Sequence, residues 1–173
     1  HVPIAINVSG RHLSADSFVE DILGPLRHAG IDADRIVLEI TESALLHDLD
    51  LAAVKLQTLR DEGIRIAVDD FGTGYTSLGH LRTLPVDILK IDRTFTSDDS
   101  ALSLVKLIID TGHLLGATVI AEGIETSEQA SDLAALGTDE LQGYLFGRPM
   151  PAVDFELGRQ ASALESVSEA VDG

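Results

Sequence analysis

The sequence predicts an α/β domain in which parallel strands alternate with helices, and three observations predict it. Short β-branched runs that end in polar residues are each followed by a longer stretch with helical spacing. Runs such as Ile64-Arg65-Ile66-Ala67-Val68 are nearly continuously apolar, as a parallel sheet requires, because crossover helices cover both of its faces. Several helical stretches end at a glycine suited to a left-handed cap, namely Gly30, Gly63, Gly116 and Gly137.

In chain order, a first strand is expected over Ile4–Ser9, followed by a helix near Asp16–His28 that closes at Gly30. A strand over Ile36–Thr41 leads to a helix over Asp50–Asp61 closed by Gly63, and the strand Ile64–Asp69 leads to a helix over Ser77–Leu84. Ile88–Asp92 precedes a helix over Ala101–Leu115, and Thr118–Glu122 precedes one over Ser127–Leu136. A sixth strand is expected over Gln142–Phe146, giving about six β/α units. One domain over 1–157 is expected, with 158–173, rich in Ala, Ser and Glu, as a last helix and mobile tail.

The composition narrows the function classes. The chain has 173 residues of which 45% are hydrophobic, enough for a core in a domain of this length. With no cysteine there is no disulfide framework, thiolate nucleophile or thiolate zinc site, which fits a cytoplasmic location. No apolar run reaches the roughly 18 residues of a membrane span, so no membrane contact by this domain is expected. The 29 acidic residues outnumber the 12 basic ones, giving a formal charge of −17 that repels nucleic acid polymers and anionic lipid. A phosphate-bearing ligand would therefore need local positive charge, most simply from divalent metal.

The polar residues cluster at strand C-termini: Asn7, Glu39 and Glu42, Asp69 and Asp70, Lys90, Glu122 and Glu125, then Gln142. In a (β/α) barrel that face carries the active site, so residues far apart in sequence converge there. A carboxylate among apolar strand residues is costly to bury alone, and several together call for shared cations. Oxygen donors from Asp, Glu and Asn suit Mg²⁺ or Mn²⁺. The adjacent Asp69 and Asp70 would each reach a different ion of a pair about 3.5–4 Å apart. Asp92 and Thr126 read as capping residues, Lys90 taken alone as a carboxylate's partner, and His12, His28, His47, His80 and His113 lack metal-ligand spacing.

These motifs are Asn-Val-Ser, Leu-Glu-Ile-Thr-Glu, Asp-Asp-Phe-Gly-Thr-Gly-Tyr-Thr-Ser-Leu, Leu-Lys-Ile-Asp-Arg, Ala-Glu-Gly-Ile-Glu-Thr and Gln-Gly-Tyr-Leu-Phe-Gly-Arg-Pro. In that order, from about Val2 to about Phe155, they resemble the EAL domain, the bacterial phosphodiesterase that opens cyclic di-GMP to linear pGpG. The resemblance implies a TIM-like (β/α)8 barrel that uses Mg²⁺ or Mn²⁺, two ions in all. It implies that Asn7, Glu39 and Asp69 hold one metal, and that Asp69 with Asp70 helps hold the second. Lys90 would contact the attacking water, Glu122 would complete the metal-water network, and Gln142 and Glu125 would lie near the ligand. Glu42 would order the loop from Phe71 through Gly72, Thr73 and Gly74 that couples ligand binding to a homodimer. Fusion to sensor or diguanylate-cyclase-like domains is implied as well, in a parent that is cytoplasmic or membrane-anchored.

The sequence also departs from the family. No Glu-Ala-Leu occurs in it, so the namesake glutamate, a metal ligand, and the arginine after it have no match. Weak or absent hydrolysis by this stretch alone is expected on that ground. The competing expectation is a catalytically degenerate EAL domain acting as a cyclic di-GMP receptor or a dimerisation module.

Overall fold

The computed structural model describes residues 3–45, 48–72 and 82–155. Six strands, β1 (Ile4–Val8), β2 (Ile36–Thr41), β3 (Arg65–Phe71), β4 (Ile88–Ile91), β5 (Thr118–Ala121) and β6 (Glu140–Leu141), form one sheet in sequence order. Every neighbouring pair is parallel. Between them run α1 (Gly10–Ser14), α2 (Phe18–Ala29), α3 (Glu42–Leu45), α4 (Leu49–Asp61), α5 (Arg93–Thr96), α6 (Leu102–Leu114) and α7 (Ser127–Leu136). Consecutive parallel neighbours with helical crossovers are the arrangement of a barrel wall.

Strand alternation divides the sheet's side chains into two layers. Leu38, Ile40, Ile66, Val68, Leu89, Ile91, Val119 and Ala121 face outward and join the main core with Leu56, Leu59, Val105, Ile109 and Leu133 of the helices. The alternate residues Val37, Ala67 and Ile88 form a smaller inner cluster against Ile120. One alternation further along each of these four strands stand Glu39, Asp69, Lys90 and Glu122, so the polar set rests on an apolar floor.

Helix ends follow the sequence signals. Asp48 caps α4 through the Leu51 amide, and Thr126 with Gln129 forms a reciprocal capping box on α7. Gly30 and Gly137 end α2 and α7 with φ of 65° and 96°, conformations that cost a side-chain-bearing residue. Lys55 of α4 is buried and donates to the Leu13 and Ala15 carbonyls at 3.0 and 2.9 Å, tying α4 to the end of α1.

Two strand expectations need correction. The sixth strand covers Glu140–Leu141, and Gln142–Phe146 is not a strand. The chain there wraps around Ile124, whose amide donates to the Gln142 carbonyl at 3.1 Å and whose carbonyl accepts from the Leu145 amide at 3.0 Å. Gly143 makes the wrap possible, because a Cβ there would lie 2.1 Å from the Ile124 carbonyl oxygen. The third strand runs past Asp69 to Phe71, with a register shift between Val68 and Phe71. The expected helix Ser77–Leu84 falls largely outside the described residues, as do His47, His80, Thr73, Gly74 and the tail 158–173.

Candidate functional site

At the C-terminal edge of the sheet, Lys90 is the hub. Its ammonium lies 2.6 Å from Glu122 Oε1, 2.8 Å from Glu39 Oε1 and 3.2 Å from Asp69 Oδ1. Strands β2, β3, β4 and the end of β5 thus each supply one charged group to a single point. The Lys90 side chain is 4% exposed. Burial works against its charge, but the hydrogen bonds to Glu122 and Glu39 and the charges of Glu122 and Asp69 outweigh it, so its pKa rises above that of an ordinary lysine. Burial likewise raises the Glu122 pKa, only partly offset by Lys90, with Asp69 and Glu39 adding repulsion. Glu122 is anchored on both sides: its amide donates to the Ile91 carbonyl at 3.1 Å and its own carbonyl accepts from Thr96 Oγ1 at 2.6 Å.

Asp69 and Asp70 would point to opposite faces of a regular strand. The register shift in β3, together with a left-handed Asp70 at φ 55°, defeats that alternation. This is the one described non-glycine residue with positive φ, a conformation that costs about 1 kcal/mol or more. As a result, carboxylate oxygens of Asp69, Asp70 and Glu122 all lie within 4.8 Å of one another. Burial raises the Asp70 pKa, with further contributions from the Asp69 charge and a hydrogen bond to Asp92. Asp92 moves the other way: bonds from Thr94, Asp70 and the Arg93 amide overcome its desolvation.

Divalent cations fit this donor set. Three carboxylates, Glu39, Asp69 and Glu122, converge on Lys90, Asp70 joins Asp69 and Glu122 beside them, and Asp69 Oδ1 is buried without a hydrogen-bond donor even though Lys90 Nζ lies 3.2 Å away. An anionic oxygen in that position is the kind that hard cations bind. The set contains oxygen donors only, with no imidazole or thiolate.

The other expected residues take distinct places. Asn7 is exposed on β1, in register with Glu39 and therefore on the same face. Gln142 and Glu125 line a cleft of about 340 Å³ with Asp70, Asp92 and Glu122. Glu42, 2% exposed at the start of α3, accepts the Gly72 amide at 3.2 Å, so it is bonded to the first residue after β3. Phe71 is buried, and Gly72 has φ 99° with Phe95 so close that a Cβ would lie 2.9 Å from its ring.

Three cleft residues escaped the sequence reading. Asp92 does cap Thr94 at 2.9 Å, as expected, but it also bonds Asp70. Arg93 and Tyr144 line the same cleft, and Arg148 lies 4.7 Å over the Tyr144 ring. Their motifs, Leu-Lys-Ile-Asp-Arg and Gln-Gly-Tyr, were the available signal.

Comparison with known proteins identifies the family and agrees with the fold. A family model described as the EAL domain matches residues 1–149. The chain is 41% identical over 155 residues to the bifunctional diguanylate cyclase/cyclic di-GMP phosphodiesterase MucR of Pseudomonas aeruginosa, covering 86% of this chain and 22% of that protein. It spans about a fifth of the length of the curated relatives it matches. The solved structure of the PaMucR phosphodiesterase with c-di-GMP superposes with a TM-score of 0.85 at 38% identity, covering 88% of this chain and 64% of that one. A manganese and cyclic di-GMP complex of Klebsiella pneumoniae BlrP1 gives 0.77 at 32% identity, covering 85% and 39%.

Proposed function

The chain belongs to the EAL domain family, and from that premise we propose that its reaction is metal-dependent hydrolysis of cyclic di-GMP to linear pGpG, slow in this stretch by itself because the Glu-Ala-Leu ligand has no match in it. The observation that carries the proposal is the convergence of Glu39, Asp69 and Glu122 on Lys90 with Asp70 beside Asp69 and Glu122, and with Asp69 Oδ1 left without a donor. Glu39, Asp69, Asp70 and Glu122, with Asn7 beside Glu39 in register, would hold two divalent ions, Mg²⁺ or Mn²⁺. Bound there, the ions would supply Lewis-acid stabilisation of the phosphoryl oxygens and a water of lowered pKa.

The chain's own groups do the rest. Lys90 stays cationic at neutral pH, so it donates hydrogen bonds that orient the attacking water and offset charge on the phosphoryl group. Glu122, bonded to Lys90 at 2.6 Å and with an increased proton affinity, is suited to share the water's proton. Water oxygen bonds to phosphorus, the P–O3′ bond breaks, and the 3′ oxygen leaves as the hydroxyl of pGpG. Gln142 and Glu125 border the cleft in which the nucleotide would lie. Glu42 would carry the state of the loop after Phe71 through its bond to Gly72, in a homodimer fused to sensor or cyclase-like domains.

The test is incubation of the chain with cyclic di-GMP and Mn²⁺, separating pGpG by chromatography. Turnover that requires Mn²⁺ and disappears in Asp69→Asn supports the proposal. Saturable nucleotide binding with no pGpG would instead establish a receptor.

A further inference from the structure

The cleft beside the carboxylates presents an electrostatic problem. It is lined by Asp70, Asp92, Glu122 and Glu125, and its proposed ligand carries two phosphodiesters. Ions at Asp69, Asp70 and Glu122 would meet the scissile phosphate, which leaves the second one facing carboxylates. Lys90 is held at the reaction centre by three carboxylates and does not line this cleft. Arg93 is the only lysine or arginine among the described residues that line this cleft.

An unpaired surface arginine is ordinary, but the surroundings of Arg93 are not. Among the described residues no carboxylate lies within ion-pairing distance of its guanidinium, although four line the same cleft. Its backbone is held firmly all the same. The Arg93 carbonyl accepts from the Ser97 amide at 3.1 Å and Ser97 Oγ at 2.7 Å. Its Cβ packs so tightly on Gly123, which has φ 71°, that a Cβ there would approach to 2.4 Å. A pinned stem with a planar, five-donor head that no described carboxylate engages, at the rim of an anionic cleft, is pre-organised for a phosphate oxygen pair.

We infer that Arg93 is a positioning residue that binds the non-scissile phosphodiester of cyclic di-GMP, an inference that rests on the functional reading above. The experiment measures binding to the chain and to Arg93→Ala by calorimetry in Ca²⁺, using cyclic di-GMP and an analogue in which one phosphodiester is replaced by a neutral methylphosphonate. Wild type should bind cyclic di-GMP, and Arg93→Ala should bind it about tenfold to a hundredfold more weakly, with partial recovery in Arg93→Lys. For the neutral analogue the penalty of Arg93→Ala should shrink to under about threefold, because the charge that Arg93 meets is gone. Equal binding of cyclic di-GMP by wild type and Arg93→Ala overturns the assignment, as does an equal loss for both ligands. Absence of cyclic di-GMP binding by wild type overturns the functional reading itself, and the assignment with it.

Discussion

Replacing Lys90 by methionine removes the one cation shared by Glu39, Asp69 and Glu122 and keeps the length of the side chain. The partners are only 13%, 15% and 19% exposed, so water relieves little of their repulsion. Breaking a buried pair by deleting one partner costs about 3–5 kcal/mol, and the partial exposure here points to about 3 kcal/mol at pH 7. The sign of the pH dependence follows from the carboxylates left behind. Glu122 already has a raised pKa in the folded state, and losing Lys90 raises it further. A carboxyl group with a raised folded pKa destabilises the fold at pH values above that pKa and ceases to do so as pH falls through it. The loss in Lys90→Met should therefore be greatest near neutrality and shrink toward pH 4, by up to about 1.4 kcal/mol per pH unit for each carboxyl that protonates. Urea unfolding of wild type and variant between pH 4 and pH 7 measures this directly. A loss under about 1 kcal/mol at pH 7, or one that does not change with pH, would refute the reasoning.

Gly112 of α6 faces Val119 so closely that a Cβ would lie 2.4 Å from its Cγ2. Gly112→Ala should lower stability by about 1 kcal/mol despite its better helix propensity, and adding Val119→Ala should recover part of the loss in urea midpoints. Asp139 accepts from the Val119 amide at 2.7 Å and pairs with His113 at 2.9 Å. The backbone bond lowers its pKa most, against some desolvation, with His113 helping. A depressed folded pKa gives stability present above the unfolded value near 3.9 and lost as pH falls through the folded one, so Asp139→Asn should be destabilised at pH 6 and approach wild type near pH 2. Thr126→Ala removes one half of the α7 capping box and should cost about 1 kcal/mol in the same assay.

Much of the wall was legible because period and chemistry agreed along it. Ile36–Thr41 and Ser127–Leu136 match in both bounds, since β-branched alternation, a capping box and Gly137 all act locally. The convergence of Glu39, Lys90 and Glu122 was legible for a similar reason: each stands at the end of a parallel strand, and parallel register carries strand ends to one edge. Tertiary packing decided the rest. Gln142–Phe146 has strand-like composition, yet the close approach of Gly143 to Ile124 bends it away, a contact invisible in a window of five residues. Asp92 reads as a cap, and it does accept from the Thr94 amide, but its hydrogen bond with Asp70 joins it to a strand more than twenty residues away, which no local pattern shows. The left-handed turn at Asp70 is what brings Asp69 and Asp70 together, against the alternation a strand pattern implies.

The central claim is that these carboxylates hold divalent metal. Calorimetric titration of the chain with Mn²⁺ tests it most directly, with Asp69→Asn as the comparison. The account predicts saturable binding that weakens at least tenfold in the variant, because Asp69 Oδ1 is the buried oxygen without a donor. No saturable Mn²⁺ binding by wild type, or equal binding by both proteins, would contradict it.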